Sequence, residues 1–141
     1  MASVDITDNT RQFQDAVERA KARALEIIGG KVERYAKALC PVGTEESTGI
    51  KGYHGGTLRN SITHTVEDDT ALIGSNVKYA PYVELGTGPH YTPPPEWMAN
   101  NADRGKGIGH GFVHARPYLR PAVADHTDEY KNVIRRELTN A

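Results

Sequence analysis

The stretch that decides the fold is TRQFQDAVERAKARALEIIGGKVERYAKAL, residues 10–39. Phe13, Val17, Ala20, Ala24, Ile28, Tyr35 and Leu39 recur at intervals of three, four and seven, which is the period of an amphipathic helix. Asp8 or Asn9 can cap its start, and Pro41 ends it. Thirty residues make a rod of about 45 Å. Gly29-Gly30 sits inside it and costs about 1 kcal/mol per glycine relative to alanine. A bend there, or the close approach of another backbone, is expected.

Outward from this helix the chain changes character. Residues 42–57 are glycine-rich and read as a loop. LRNSITHTV, residues 58–66, alternates, with Leu58, Ile62 and Val66 on one face and Arg59, Ser61, Thr63 and Thr65 on the other. Glu67-Asp68-Asp69 makes a turn and TALIGSN returns, so a hairpin is expected. VKYAPYVELGTG, residues 77–88, begins like an edge strand, because Pro81 cannot sit in a central one. Residues 88–114 form a long Gly/Pro-rich loop, of a length that in compact domains is usually functional or flexible. ARPYLRPAV leads into a last helix over about 119–138, with Leu119, Val123, Tyr130, Val133 or Ile134 and Leu138 on one side. The fold class is therefore α+β. A long N-terminal helix and a C-terminal helix pack on a small antiparallel sheet of three to five strands, in one domain over residues 1–141.

Bulk properties narrow the function. The net charge of −1 gives no overall electrostatic footprint for nucleic acid or an anionic membrane. The single Cys40 excludes an internal disulfide, suits a reducing compartment and reads as a buried small hydrophobe. Residues 1–9 are polar, without the apolar core of a signal peptide. No stretch approaches a membrane span, so a soluble cytoplasmic product is expected.

Candidate chemistry is thin. His110 and His114 have a zinc-like spacing, but two glycines flank His110 and no Glu follows it. A third ligand from His90, His54 or Glu84 has no local support. The glycines of GKGIGHG match no phosphate-binding spacing and follow no strand. Glu84 as a general acid, with His90 or His64 as partner, lacks a nucleophile and an orienting group. A carboxylate among apolar neighbours needs a partner. Arg59, Arg116 and Arg120 are available, and arginine binds carboxylate in a two-pronged way. A structural Glu–Arg pin is the reading of Glu84, with no catalytic residue, metal or cofactor. The basic residues Arg116, Arg120, Lys131, Arg135 and Arg136 are largely offset by Asp125, Asp128, Glu129 and Glu137. They read as a solvated helix face, with a patch facing a partner or DNA as the sharper alternative.

Three segments resemble the neck and tail-completion proteins of long-tailed bacteriophages, the head–tail joining or minor tail component family. GTLRNSI (56–62) is similar to T-G-x-L-R-x-S-I. YAPYVELGTG (79–88) is similar to Y-A-x-x-V-E-x-G-T. ARPYLRPA (115–122) is similar to x-x-P-F-L-R-P-A. The order of these segments, behind a long amphipathic helix and ahead of a C-terminal one, extends the resemblance over about residues 8–138. The chain departs from the pattern at Gly55, where the family has Thr, and at Tyr118, where it has Phe. Residues 88–114 are also longer than the usual link.

The resemblance implies a structural virion protein, a homo-oligomeric ring, hexameric or dodecameric, between head and tail. Its neighbours would be head-completion, adaptor, tail-terminator or tail-tube proteins. DNA would pass through the lumen without specific binding, and no membrane would be involved. The protein would reside in the virion, and in the host cytoplasm during assembly. Leu58, Arg59, Ser61, Tyr79, Tyr82, Glu84, Gly86, Arg116, Pro117, Tyr118, Arg120 and Pro121 become structural or interaction candidates. Tyr79 and Tyr82 would pack near the sheet edge. Glu84 would accept bonds from Arg59, Arg116 or main-chain N–H groups, and Gly86 would allow a turn that a Cβ would block. Two other classes compete. One is a small metal-dependent hydrolase or nuclease using His110, His114, His90 and Glu84. The other is a host-directed binding module encoded by a prophage.

Overall fold

The computed structural model of the chain describes residues 2–52, 54–86 and 114–141. Helix α1, Thr10–Leu39, runs unbroken through Gly29-Gly30. Its start is held by Asp8, whose Oδ1 accepts from the Thr10 N–H at 2.9 Å and the Thr10 hydroxyl at 2.5 Å. Asn9, at the cap position itself, makes no side-chain bond. Cys40 is already extended, as a residue before proline must be. The buried positions Ala20, Ala24, Val32, Ala36 and Cys40 fall four or eight apart. This row is small-sided and slants round the helix, so neighbours approach closely along it.

Helix α2, Glu45–Thr48, is one turn, closed by reciprocal bonds between Thr44 and Ser47. Helix α3, Thr57–Ser61, and helix α4, Ala80–Leu85, flank a two-stranded antiparallel sheet of β1, Thr63–Glu67, and β2, Thr70–Gly74. The register pairs His64 with Ile73 and Val66 with Ala71 on the inner, half-buried face. Asp68, at φ 51°, makes the tight turn, where Asp is one of the few side chains tolerated. Helix α5, Leu119–Ala124, and helix α6, Thr127–Thr139, complete the described chain.

α1 is the spine. The hairpin packs on it at one side, and α5 and α6 at another. α6 runs antiparallel to α1, as the ion pairs Arg23–Glu137 (3.3 Å) and Lys31–Glu129 (2.6 Å) require. The core joins Val32, Ala36 and Cys40 of α1 to Leu58, Ile62, Ala80, Tyr118, Ala122 and Tyr130. Ile62 and Tyr118 are fully buried. Each such side chain stabilises the fold by about 2 kcal/mol through its removal from water.

The α+β architecture, the long first helix and the hairpin agree with the sequence. Five details do not. Residues 57–61 are a helical turn rather than the start of a strand. Residues 80–85 are a helix rather than an edge strand, with Pro81 in its first turn, where the missing N–H costs nothing. The sheet among the described residues has two strands rather than three to five. The C-terminal helix is two helices with a break at Asp125-His126. At Gly29 the close neighbour is not a backbone but the His64 ring.

Candidate functional site

The three sequence segments that carry the family resemblance converge in space. Glu84, on α4, is 7% exposed and is the one buried charged residue among the described residues. Its Oε2 accepts from the main-chain N–H groups of Tyr118 (2.7 Å) and Leu119 (3.0 Å). Its Oε1 accepts from the Arg120 N–H (3.0 Å) and the Arg120 Nε (3.2 Å). Arg120 Nη2 also donates to the Glu84 carbonyl at 3.4 Å. The carboxylate thus caps the start of α5. Each of these N–H groups would otherwise lack a partner, because the opening N–H groups of a helix have none within it. Arg116 adds a main-chain tie, its N–H donating to the Val83 carbonyl at 2.7 Å.

The partners differ in part from the expected ones. Arg120 and three N–H groups hold Glu84; Arg59 and Arg116 are not among its bonds. Arg59 and Arg116 are exposed. Leu58 is buried, and the Ser61 hydroxyl donates to the Leu58 carbonyl at 2.6 Å and meets the Ser75 hydroxyl at 2.6 Å. Tyr79 lies at the cap of α4 and Tyr82 within it. Gly86 follows α4 at φ 77°, a conformation that a Cβ strains. Pro117 is exposed and Pro121 half-buried.

Two clefts flank the capped carboxylate. One, of about 250 Å³, is lined by Pro41, Leu58, Tyr79, Val83, His114 and Arg116. The other, of about 480 Å³, is lined by Val77, Pro81, Leu85, Leu119 and Arg120, with Glu84 and Tyr118 in its wall. Tyr118, standing where the resembling family has Phe, is fully buried, and its hydroxyl has no partner among the described residues. Burial pushes its ionisation up to about 12. Burial likewise pushes the Cys40 thiol upward, so this cysteine is held as a neutral thiol.

His90, His110, Thr87, Gly88 and most of the 88–114 segment lie outside the described residues. No group of three His, Cys, Asp or Glu side chains placed to hold a metal occurs among the described residues. His64, considered as an acid–base partner for Glu84, instead lies between two glutamates of α1, with Nδ1 2.5 Å from Glu33 Oε2 and Nε2 2.8 Å from Glu26 Oε1. Glu26 and Glu33 share the i, i+7 spacing of α1, but nothing in the sequence places His64 against them beyond the unexplained Gly29-Gly30. No described helix is long and apolar enough to cross a membrane.

Comparison with curated proteins and with solved structures finds no match. A family model does match, over residues 5–86, which is more than half of the chain and takes in α1 to α4. It is described as "Bacteriophage HK97-gp10, putative tail-component". The chain belongs to this HK97-gp10-like family.

Proposed function

We propose that the chain is a structural virion subunit of a long-tailed phage or prophage, a ring-forming neck or tail-completion protein that joins head to tail and carries no enzymatic activity. The observation that carries this reading is the family match over α1 to α4. Two features support it. The buried carboxylate, the best acid–base candidate in the sequence, is committed to four donors that fix α5 against α4. It serves architecture, and a proton shuttle needs a freer group. Second, Phe13 is 70% exposed, and Val123, Ile134 and Leu138 are also exposed. Apolar side chains left outside a protomer are available for contacts with neighbouring subunits. A closed ring uses such surfaces in pairs, one face meeting a different face of the next copy. Partners would be further copies of the chain and the adjoining head-completion, adaptor, terminator or tube proteins.

Electron microscopy of lysates from a phage lacking this gene tests the reading. Filled heads lying apart from finished tails are expected. Normally joined particles would overturn it.

A further inference from the structure

We propose that His64 is a protonation-controlled latch, holding the β1–β2 hairpin on α1 while its ring carries both protons and releasing it when one is lost. The geometry demands the charged ring. Both nitrogens face carboxylate oxygens, Glu33 at 2.5 Å and Glu26 at 2.8 Å. Ionised carboxylates only accept, and a neutral imidazole has a single N–H. Loss of either proton turns one of the two bonds into a lone-pair clash.

The slot is built to fit the ring. Glu26 and Glu33 are seven residues apart, so they stand two turns apart on one side of α1. Gly29 and Gly30 floor the space between them. A Cβ at Gly29 would lie 2.6 Å from the ring Cδ2, and one at Gly30 3.9 Å from Cε1. Gly29, costly to a helix, is what lets the ring approach the backbone of α1, while a Cβ at Gly30 would only touch it.

Other charges near the ring do not replace the latch. Lys37 of α1 binds the second oxygen of Glu33 at 2.6 Å. Lys21 of α1 holds Asp69 at the hairpin turn at 2.8 Å. Lys31 is engaged with Glu129 of α6. Across the strands His64 faces Ile73, which does not titrate.

The hairpin is also an element that one charge can bias. None of its ten residues is fully buried. A two-stranded hairpin alone is marginal in water. Its base is separately tied by the Ser61–Ser75 hydroxyl bond and by buried Ile62, and its turn by the exposed Lys21–Asp69 pair, so release would loosen the strands between these ties. The His64 ionisation is raised, first by Glu33 and then by Glu26, while burial opposes it. The latch is therefore closed below the raised value, while the facing carboxylates are ionised, and opens as pH rises past it. The proposal concerns this chain's own conformation and does not depend on the ring assembly.

The test is nitrogen NMR of the His64 ring, together with amide hydrogen exchange, on the full chain across pH. Both ring nitrogens should be protonated at pH 6, below the ordinary value of 6.5. Protection of the β1 and β2 amides should fall severalfold, beyond the intrinsic base-catalysed rise, at the pH where the ring titrates, with the middle of α1 unchanged. Glu33→Gln should move both midpoints down together. His64→Phe should make hairpin protection independent of pH. A single-tautomer neutral ring at pH 6 overturns the proposal. So does hairpin protection that ignores the ring titration in the unsubstituted protein, which decides the matter even where a variant fails to fold.

Discussion

Glu84 shows what one side chain can fix. Its two oxygens accept four donors from residues 118–120, three of them main-chain groups that no substitution at those positions except proline would remove. Glu84→Gln keeps the shape, but its amide nitrogen must turn donors toward donors. The expected cost is about 3 kcal/mol, the scale of a charged hydrogen bond lost with buried N–H groups left unpaired. Arg120→Ala should cost less than 1 kcal/mol, about the worth of an exposed pair, because the Arg120 side chain is 50% exposed and the main-chain donors remain. Urea unfolding of both variants checks the order, and equal losses would contradict it. Tyr118 carries the opposite lesson. Its fully buried hydroxyl lacks a partner among the described residues, so Tyr118→Phe should leave stability unchanged or raise it by up to about 1 kcal/mol. A clear loss would mean that the hydroxyl is bonded. At this scale the sequence revealed that Glu84 needed a partner and that arginines were near. It could not reveal main-chain donors, because every residue type but proline carries the same N–H.

Elements were legible where they were long. Helix α1 was read to its ends because seven apolar positions over thirty residues allow one period only. The short elements were misread for a definite reason. Leu58 and Ile62 are four apart, a spacing that fits both one helical turn and two strand repeats. Gly56 decides between them: its φ of 118° breaks the chain's direction and the turn of α3 starts at once. In α4, Pro81 argued against a central strand but did not announce a helix start. The break between α5 and α6 is tertiary. His126 turns there to stack on Tyr35 of α1, ring centres 3.6 Å apart and planes within 5°. Gly55 explains one departure from the resembling family. The bridge between Thr44 and His54 draws its backbone against Gly43, with its N–H donating to the Gly43 carbonyl at 3.0 Å. A Cβ there would lie 2.3 Å from that oxygen, which is backbone and cannot swing aside. Gly55→Ala should therefore destabilise by about 1–3 kcal/mol, as overpacking does. The midpoint of thermal unfolding measures it, and an unchanged midpoint would mean that the 43–55 crossing yields to a methyl group.

Across the whole molecule, α1 gathers the other elements through charges of opposite pH response, and this sets the shape of the stability curve. Glu129 binds Lys31 at 2.6 Å and the Tyr35 hydroxyl at 2.5 Å, fastening α6 to α1. Lys31 first and Tyr35 second hold its carboxyl below the ordinary 4.5. Lys37 and then His64 do the same for Glu33. A lowered carboxyl contributes stability that is complete above its unfolded value and is lost as pH falls through the folded one. His64 is raised above 6.5, so its contribution is complete below 6.5 and is lost as pH climbs through the folded value. Tyr118 and Tyr130, pushed by burial to about 12, add a further loss above pH 10, where only the unfolded chain ionises them. Stability should therefore peak between about pH 5 and 6.5, with an acid limb belonging to the α1–α6 clamp and a first alkaline limb belonging to the hairpin. Thermal unfolding across pH 3–9 in Glu129→Gln and His64→Phe separates the limbs. Glu129→Gln should flatten the acid limb and spare the alkaline one, and His64→Phe should flatten the alkaline limb while leaving the Glu129 part of the acid one. If both variants lower the whole curve without changing its shape, the two pairs act only through packing.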